Sequence, residues 1–231
     1  MWFSEPVRRL QILFSASGKA GWYAYLFIRT SIRLVLFRYF RVNIIGKENL
    51  VKTGPIIIAP SHRSNLDAPL CGAVPDRRPR SLSKESLFKN PVLAWIVTSL
   101  GSFPVKRGTA DREAMRTAEK LLNEGESLLV FPEGTRQSGP SIAEVFDGTA
   151  YLAAKSGAPI IPIGIAGTED SMPPGAKFPR RTKVSIVVGE PIAPPANEGR
   201  VRRKELTAFT ELLTERLQMA LDEANSDAAS R

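Results

Sequence analysis

The chain has 231 residues, 43% of them hydrophobic and 24% charged, which is typical of one globular domain with a sizeable core. A formal net charge of +9 predicts an anionic partner: nucleic acid, an acidic membrane surface or a phosphorylated substrate. A single cysteine and a single histidine exclude an internal disulfide and a His/Cys zinc site within the chain, so no bound metal is expected.

Residues 1–41 form a basic and aromatic segment. Seven Lys or Arg residues stand there against one acid, Glu5, and aromatic residues are interleaved with them. Arg29 and Arg33 fall within its apolar stretch, where a membrane span would bury both charges at high cost. We therefore predict a helix lying in the lipid headgroup layer, its aromatic rings at the acyl boundary and its arginines on lipid phosphates. The alternative is a helical arm that packs on the domain and leaves its arginines solvated.

From residue 42 onward, short β-branched runs alternate with helical patterns. Strands are predicted at 42–45, 55–59, 103–106, 127–131, 159–165 and 184–188, and helices at 65–73, 91–100, 111–123 and 206–220. This alternation predicts a single α/β domain over residues 42–231, with a largely parallel central sheet flanked by helices. Pro162 is expected to break its strand because it has no N–H to donate. The polar tail at 225–231 is expected to fray.

The only histidine, His62, comes directly after a predicted buried strand and five residues before Asp67. Imidazole takes and returns a proton near neutral pH, and a nearby carboxylate can hold it in one orientation. A structural histidine at a strand end is the alternative. Other charged segments along the chain favour the catalytic interpretation.

Two such segments place charges where a predicted strand ends, which is where open α/β sheets bind ligands. Lys106 and Arg107, before Gly108, offer a point charge and a planar fork to a phosphate. The run Phe131-Pro132-Glu133-Gly134-Thr135-Arg136 carries an acid, a hydroxyl and an arginine through a glycine turn. The non-functional alternative for Lys106 and Arg107 is a solvated strand end. For the run from Phe131 to Arg136 it is a salt-bridged turn.

In order and spacing, these segments resemble the four blocks of the glycerolipid acyltransferase family, which includes the 1-acylglycerol-3-phosphate acyltransferases. The matching blocks are His62 to Asp67, Gly101 to Arg107, Phe131 to Arg136 and Ile161-Pro162-Ile163, and the likeness covers about residues 42–190. Ser61 is a departure, because family members commonly carry asparagine before the histidine. We expect this change to adjust the local hydrogen bonds of the loop.

The resemblance implies an enzyme that moves a fatty acyl group from acyl-CoA or acyl carrier protein to the free hydroxyl of 1-acylglycerol-3-phosphate, giving phosphatidic acid. It implies no cofactor beyond the thioester co-substrate. His62 would be the general base and Asp67 would orient it. Glu133 would bind a glycerol hydroxyl or orient Arg136. The implied substrate-binding residues are Lys106, Arg107, Glu133, Gly134, Thr135 and Arg136.

The implied partners are an anionic membrane surface at the cytoplasmic face, a lysophospholipid acceptor and an acyl thioester donor. Nucleic acid is not expected, because the sequence carries no helix-turn-helix, RNA-binding aromatic signature or zinc knuckle. Two alternatives stay open: the same chemistry on another lysolipid, glycolipid or amino-acid lipid, and a non-enzymatic basic module that binds membranes or nucleic acid. Cys71 is expected to be an inert core thiol rather than a nucleophile.

Overall fold

A seven-stranded sheet runs through the protein in this computed structural model, which describes residues 18–105, 111–195 and 202–231. In chain order the strands are β1 (Asn43–Ile45), β2 (Ile56–Pro60), β3 (Arg80–Lys84), β4 (Ser102–Val105), β5 (Ser127–Leu129), β6 (Ile160–Ala166) and β7 (Ser185–Val188). Their spatial order is β1-β7-β6-β2-β5-β3-β4, and every neighbouring pair is parallel except β6 with β7. The predicted α/β class with a largely parallel sheet is confirmed.

Helices cover both faces of this sheet. They are α1 (Lys19–Ser31), which continues through a π-helical segment (Ile32–Leu36) and a last turn (Phe37–Tyr39), α2 (Asp67–Ala73), α3 (Pro91–Ser99), α4 (Arg112–Asn123), α5 (Asp147–Ser156), α6 (Thr168–Ser171) and α7 (Arg203–Ser230). Local sequence explains where several begin and end. Asn90 caps α3 by accepting hydrogen bonds from two backbone N–H groups, and Asp111 caps α4 in the same way. Gly157, with φ of 71°, ends α5.

The core lies on both faces of β2 and β6, which are buried at every position. Ile57 and Ile160 pack on one face with α4, α5 and α7, while Ile58 and Ile161 pack on the other face with α2. Burial on both faces explains why these strands are continuous apolar runs without alternation. Gly164 allows α7 to lie directly on β6, because a Cβ there would overlap the backbone of Ala220.

Two sequence-based expectations about these elements are wrong. Pro162 does not break β6: it lies in register with Ala59 of β2, and on its other side the ladder with β7 covers only Ile163–Ala166, so its missing N–H costs one bond at the end of that ladder. Its carbonyl still accepts a 2.9 Å hydrogen bond from the backbone N–H of Gly189. The C-terminal tail does not fray, and α7 is helical to Ser230. Arg231 holds this end by donating to the carbonyl of Val184 at 2.9 Å.

Helix α1 packs on the domain through two arginines. Arg29 and Arg33 both reach Asp76, at 2.9 and 3.2 Å, and Arg33 also donates to the carbonyl of Ala73 at the end of α2. Cations at a helix C-terminus are favoured by its partial negative charge. The arm therefore packs on the domain, as the alternative interpretation expects, but both guanidinium groups are paired with protein groups instead of being merely solvated or left for lipid phosphates. Residues 1–17 of the predicted N-terminal segment lie outside the described residues.

The chain turns from this helix into β1 at Arg41, whose φ is 45°. The backbone N–H of Val42 bonds the carbonyl of Phe37 at 2.8 Å, and that of Arg41 bonds the carbonyl of Arg38 at 3.2 Å. These two bonds form a Schellman motif, which normally places glycine at the left-handed position. An L-residue there costs about 1–2 kcal/mol.

None of the helices described over residues 18–105, 111–195 and 202–231 is long and apolar enough to cross a membrane.

Candidate active site

The carboxyl ends of three neighbouring strands bring the predicted site together. His62 follows β2, Glu133 follows β5 and Thr168 follows β6, and β2 lies between the other two strands in the sheet. Since β2, β5 and β6 are mutually parallel, all three residues lie at the same edge. This edge is where open α/β sheets place their ligand sites.

His62 and Asp67 form a buried pair at this edge. Nδ1 of His62 lies 3.0 Å from Oδ2 of Asp67, and the side chains are 8% and 0% exposed. The contact fixes the ring and assigns Nδ1 to the carboxylate, so that Nε2 is the nitrogen available to a substrate proton. The ring also stacks on Phe131, with centroids 4.0 Å apart and planes tilted by 26°. The structure thus brings together the two residues that the sequence paired.

The carboxylate of Asp67 is held by more than the imidazole. Oδ2 accepts hydrogen bonds from the backbone N–H groups of Arg63 and Ser64, each at 2.6 Å. Oδ1 accepts one from the hydroxyl of Thr168 at 2.6 Å, and Thr168 is completely buried. Four donors around one buried carboxylate satisfy its acceptor capacity and leave it a single orientation.

Glu133 differs from both sequence-based interpretations. It is fully buried, and its Oε1 accepts a 2.7 Å hydrogen bond from the backbone N–H of His62. Its Oε2 forms a 2.7 Å ion pair with Arg63, which is also buried. Both oxygens are therefore occupied by the histidine loop, and neither a glycerol hydroxyl nor Arg136 is their partner in this structure.

The three residues after Glu133 face solvent. Gly134 has φ of 66°, and a Cβ there would lie 3.1 Å from the ring of Phe146, so the turn requires glycine for both conformation and space. Thr135 and Arg136 are exposed, and the Thr135 hydroxyl accepts a 3.3 Å bond from Gln137. The guanidinium of Arg136 makes no hydrogen bond or ion pair with another described residue.

Lys106 and Arg107, predicted to bind phosphate, lie outside the described residues. Among the residues that are described, no group of three or more His, Cys, Asp or Glu side chains is arranged to hold a metal ion.

Cys71 is fully buried, as expected for a core thiol. Burial and the nearby charge of Asp67 raise the pKa of this thiol well above its ordinary value, which disfavours the reactive thiolate. Ser61 is the residue that departs from the family pattern. Its hydroxyl accepts a 3.1 Å hydrogen bond from the backbone N–H of Ile165.

Sequence reasoning missed two residues of this site. Arg63 stands inside the histidine block without a distinguishing pattern, and Thr168 follows a strand whose only pattern is its apolar run. The signal for Arg63 comes from the fold, because the buried Glu133 needs a cationic partner and its burial is not visible in the sequence. No local signal marks Thr168, which is 101 residues from Asp67 in the chain.

Comparisons with known proteins identify the family of the chain. The family described as Acyltransferase matches residues 41–166, which is more than half of the chain. The chain therefore belongs to this acyltransferase family, which confirms the resemblance drawn from the four sequence blocks.

Three proteins with related sequences or structures show which members of the family the chain is similar to. The 1-acyl-sn-glycerol-3-phosphate acyltransferase of Bacillus subtilis is 26% identical over 84% of this chain and 95% of its own length. A chloroplastic enzyme of the same name from Arabidopsis thaliana is 28% identical over 68% of this chain. The crystal structure of the 1-acyl-sn-glycerophosphate acyltransferase PlsC from Thermotoga maritima aligns with a TM-score of 0.65 at 25% identity, over 94% of this chain and 97% of that one. The chain spans about half the length of several curated relatives, including 45% of the Arabidopsis protein.

Proposed function

We propose that this protein transfers a fatty acyl group from a thioester, acyl-CoA or acyl carrier protein, to the free hydroxyl of 1-acylglycerol-3-phosphate, giving phosphatidic acid. The observation that carries the proposal is the buried His62–Asp67 pair, with Nδ1 on the carboxylate at 3.0 Å and Nε2 left for the substrate. The names of the Bacillus and Thermotoga relatives support the choice of acceptor.

The geometry supports a mechanism without an acyl-enzyme. The acceptor hydroxyl gives its proton to Nε2 of His62 while its oxygen attacks the thioester carbonyl. The tetrahedral intermediate then loses the thiolate as the C–S bond breaks, and the thiolate takes the proton from His62. Asp67 keeps the required tautomer and favours the imidazolium that forms between these steps.

The acceptor phosphate needs cations near this pair. Arg136 is exposed beside the buried Glu133 and makes no bond within the described residues, so it can contact the phosphate without breaking an existing interaction. Lys106 and Arg107 follow β4 in the chain, and β4 runs parallel to β3 toward the same edge. We assign the phosphate to Arg136 with Lys106 and Arg107, and we assign Gly134 and Thr135 to the acceptor side of the site. Glu133 acts by holding the His62 loop.

Membrane association is part of the proposal, at the cytoplasmic face. Helix α1 leaves large apolar side chains exposed, and α3, which packs against it, exposes two more. These side chains are Trp22, Tyr23, Phe27, Leu34, Val35, Val92 and Leu93. Such a patch on a basic helix suits the interface of an anionic bilayer.

A second acceptor class is favoured by one comparison. The lyso-ornithine lipid O-acyltransferase of Pseudomonas aeruginosa is 31% identical over 52% of this chain. Its name supports the alternative of an amino-acid lipid, which would use the same His62 chemistry with a different headgroup site. Membership in an enzyme family disfavours the remaining alternative, a non-enzymatic basic module.

The test is a product assay with the purified full chain. Phosphatidic acid should form from 1-acylglycerol-3-phosphate and labelled acyl-CoA or acyl carrier protein, and His62→Ala should lower turnover by about 10²- to 10⁴-fold. Lyso-ornithine lipid is assayed beside it with the same donor. Preferred acylation of lyso-ornithine lipid would select the second acceptor, and unchanged transfer by His62→Ala would disprove the mechanism.

A further inference from the structure

Four arginines line an open pocket of about 560 Å³ at the end of the N-terminal helix. Arg33, Arg38 and Arg41 come from the helix and its end, and Arg181 comes from the loop before β7. No acidic residue is among the described residues that line the pocket. Its charge is therefore of one sign, which favours an anion.

Three of the four guanidinium groups are available to a ligand. Arg33 is used by Asp76 and by the carbonyl groups at the end of α2. Arg38, Arg41 and Arg181 are exposed, and within the part of the chain that the structure describes their side chains make no hydrogen bond or ion pair. Gathered like charges repel one another, and a bound anion would relieve that repulsion.

Arg41 occupies a position that backbone conformation alone would give to glycine. It has φ of 45° and is the only non-glycine residue with positive φ among the described residues. A strained residue kept in an unfavourable conformation is a reason to look for a function of its side chain. Here that side chain adds one charge to the pocket.

The pocket lies at the same edge of the sheet as His62. Strands β1 and β7 are parallel to each other, and β7 is antiparallel to β6, so their amino ends lie beside the carboxyl ends of β6 and β2. Arg41 precedes β1 and Arg181 precedes β7. With strands about 4.8 Å apart, the pocket lies roughly 10–15 Å along this edge from His62.

Apolar side chains beside the pocket indicate a lipid rather than a soluble anion. Phe178 is 84% exposed, on a loop whose two ends are joined by hydrogen bonds between Ser171 and Arg180. Tyr39 is 40% exposed and lies against the same loop, because its hydroxyl approaches the carbonyl of Pro179 at 3.5 Å. Aromatic side chains next to arginines are typical of a membrane interface, where rings reach the acyl chains and cations meet phosphates.

We propose that Arg38, Arg41 and Arg181 form a binding site for the phosphate group of an anionic membrane phospholipid other than the acceptor. The inference rests on the proposed membrane association and makes it specific. One bound headgroup at this pocket turns the edge of the sheet that carries His62 toward the bilayer, where the lysolipid acceptor resides.

The test measures binding of the full chain to vesicles of phosphatidylcholine, with and without phosphatidylglycerol. Arg41→Gly and Arg181→Ala should each weaken binding to the anionic vesicles by about five-fold. Arg41→Gly suits the test because glycine fits the left-handed position, so its melting temperature should equal or exceed that of the wild type. Lys177→Ala is the matched control, since it removes a charge from the same loop without lining the pocket.

The outcomes separate this site from diffuse surface charge and from the acceptor site. Binding by Lys177→Ala should stay close to that of the wild type, and an equal loss in all three variants would overturn the pocket in favour of diffuse charge. Wild-type affinity in Arg41→Gly and Arg181→Ala would also overturn it. Acylation of detergent-dispersed 1-acylglycerol-3-phosphate should be unchanged in both variants. A raised KM there would assign the pocket to the acceptor phosphate instead, while failure of the wild type in this assay would count against the proposed function alone.

Discussion

The hydroxyl of Thr168 donates a 2.6 Å hydrogen bond to Oδ1 of Asp67, on the side of the carboxylate opposite His62. The two residues are separated by 101 positions and are both fully buried. Thr168 therefore positions Asp67, and through it the imidazole, without reaching the substrate.

Replacing Thr168 by Val removes this bond with little change in shape. A hydrogen bond to a buried charged group contributes about 1.5–3 kcal/mol, so we expect kcat to fall by about 10-fold or more while KM for both substrates stays unchanged. Thr168→Ser keeps the hydroxyl and should restore kcat. Steady-state kinetics on the three proteins checks this, and an equal loss in the Ser and Val variants would show that the hydroxyl is not the important group.

Asp67→Asn should be far more damaging to turnover. In the wild type, one carboxylate oxygen accepts from the Arg63 and Ser64 N–H groups and from Nδ1 of His62. An amide has only one acceptor oxygen and carries no negative charge, so it can neither replace both carboxylate oxygens nor stabilise the imidazolium. We expect kcat to fall by about 10²- to 10⁴-fold, as loss of the orienting acid does in hydrolase triads. Turnover and circular dichroism are measured together. A folded Asn variant with near-normal kcat would contradict the role of Asp67.

The buried ion pair of Arg63 and Glu133 should show strong coupling in stability. Removing one partner leaves a buried charge without its counter-charge, so Arg63→Met and Glu133→Gln should each lower the free energy of unfolding by about 3–5 kcal/mol. The double variant should lose much less than the sum, because it leaves no buried charge without its counter-charge. Urea unfolding of the four proteins measures the coupling energy. Additive losses would mean that the pair acts independently.

Arg136→Ala tests the phosphate assignment. Because Arg136 is exposed and unbonded within the described residues, its loss should leave stability unchanged. We expect kcat/KM for 1-acylglycerol-3-phosphate to fall by about 10- to 100-fold, the contribution of a charged hydrogen bond. Activity on the dephosphorylated monoacylglycerol is the internal control. The assignment fails if the preference for the phosphorylated acceptor survives the substitution.

Attachment of α1 should depend on pH through Asp76. The hydrogen bond from Arg33, with help from Lys47, holds the pKa of this carboxyl below its ordinary value despite partial burial. The stabilisation is therefore present above the ordinary carboxyl pKa and is lost as pH falls through the lowered value. The side chain is 61% exposed, so the effect is at most about 1 kcal/mol. The protection factors of residues 19–39 against hydrogen exchange, corrected for the intrinsic rate at each pH, should fall below about pH 4 in the wild type, whereas Asp76→Asn should show the lowered protection factors already at pH 7.

Local patterns predict much of this fold, because buried parallel strands have a distinctive apolar run. The runs at 55–59 and 159–165 are such cases, since β2 (Ile56–Pro60) and β6 (Ile160–Ala166) are buried at every position. The effect of Pro162 depends on where the antiparallel neighbour β7 ends, at Val188, which the sequence does not state. The helical C-terminus was missed for a similar reason, since its last turn is held by the carbonyl of Val184 in another element.

Part of the candidate site can likewise be predicted from local sequence, and part depends on the fold. His62 and Asp67 are five residues apart, and their pairing follows from one loop, so the sequence suffices. The partner of Glu133 is 70 positions away at Arg63, and only the sheet order of β2 beside β5 brings them together. A surface role for Glu133 was the natural inference from a turn sequence, and burial reverses it.

Glu133 also has a consequence for how such a protein can change over time. Glu133 is buried and joins its own segment to the histidine block through His62 and Arg63. The residues that follow it, Gly134, Thr135 and Arg136, are exposed. In the proposed enzyme, variation in the outer stretch would change the contacts to the headgroup and leave the His62–Asp67 pair untouched. Arg63 and Glu133, by contrast, would have to change together, because either one alone is a buried charge without its partner.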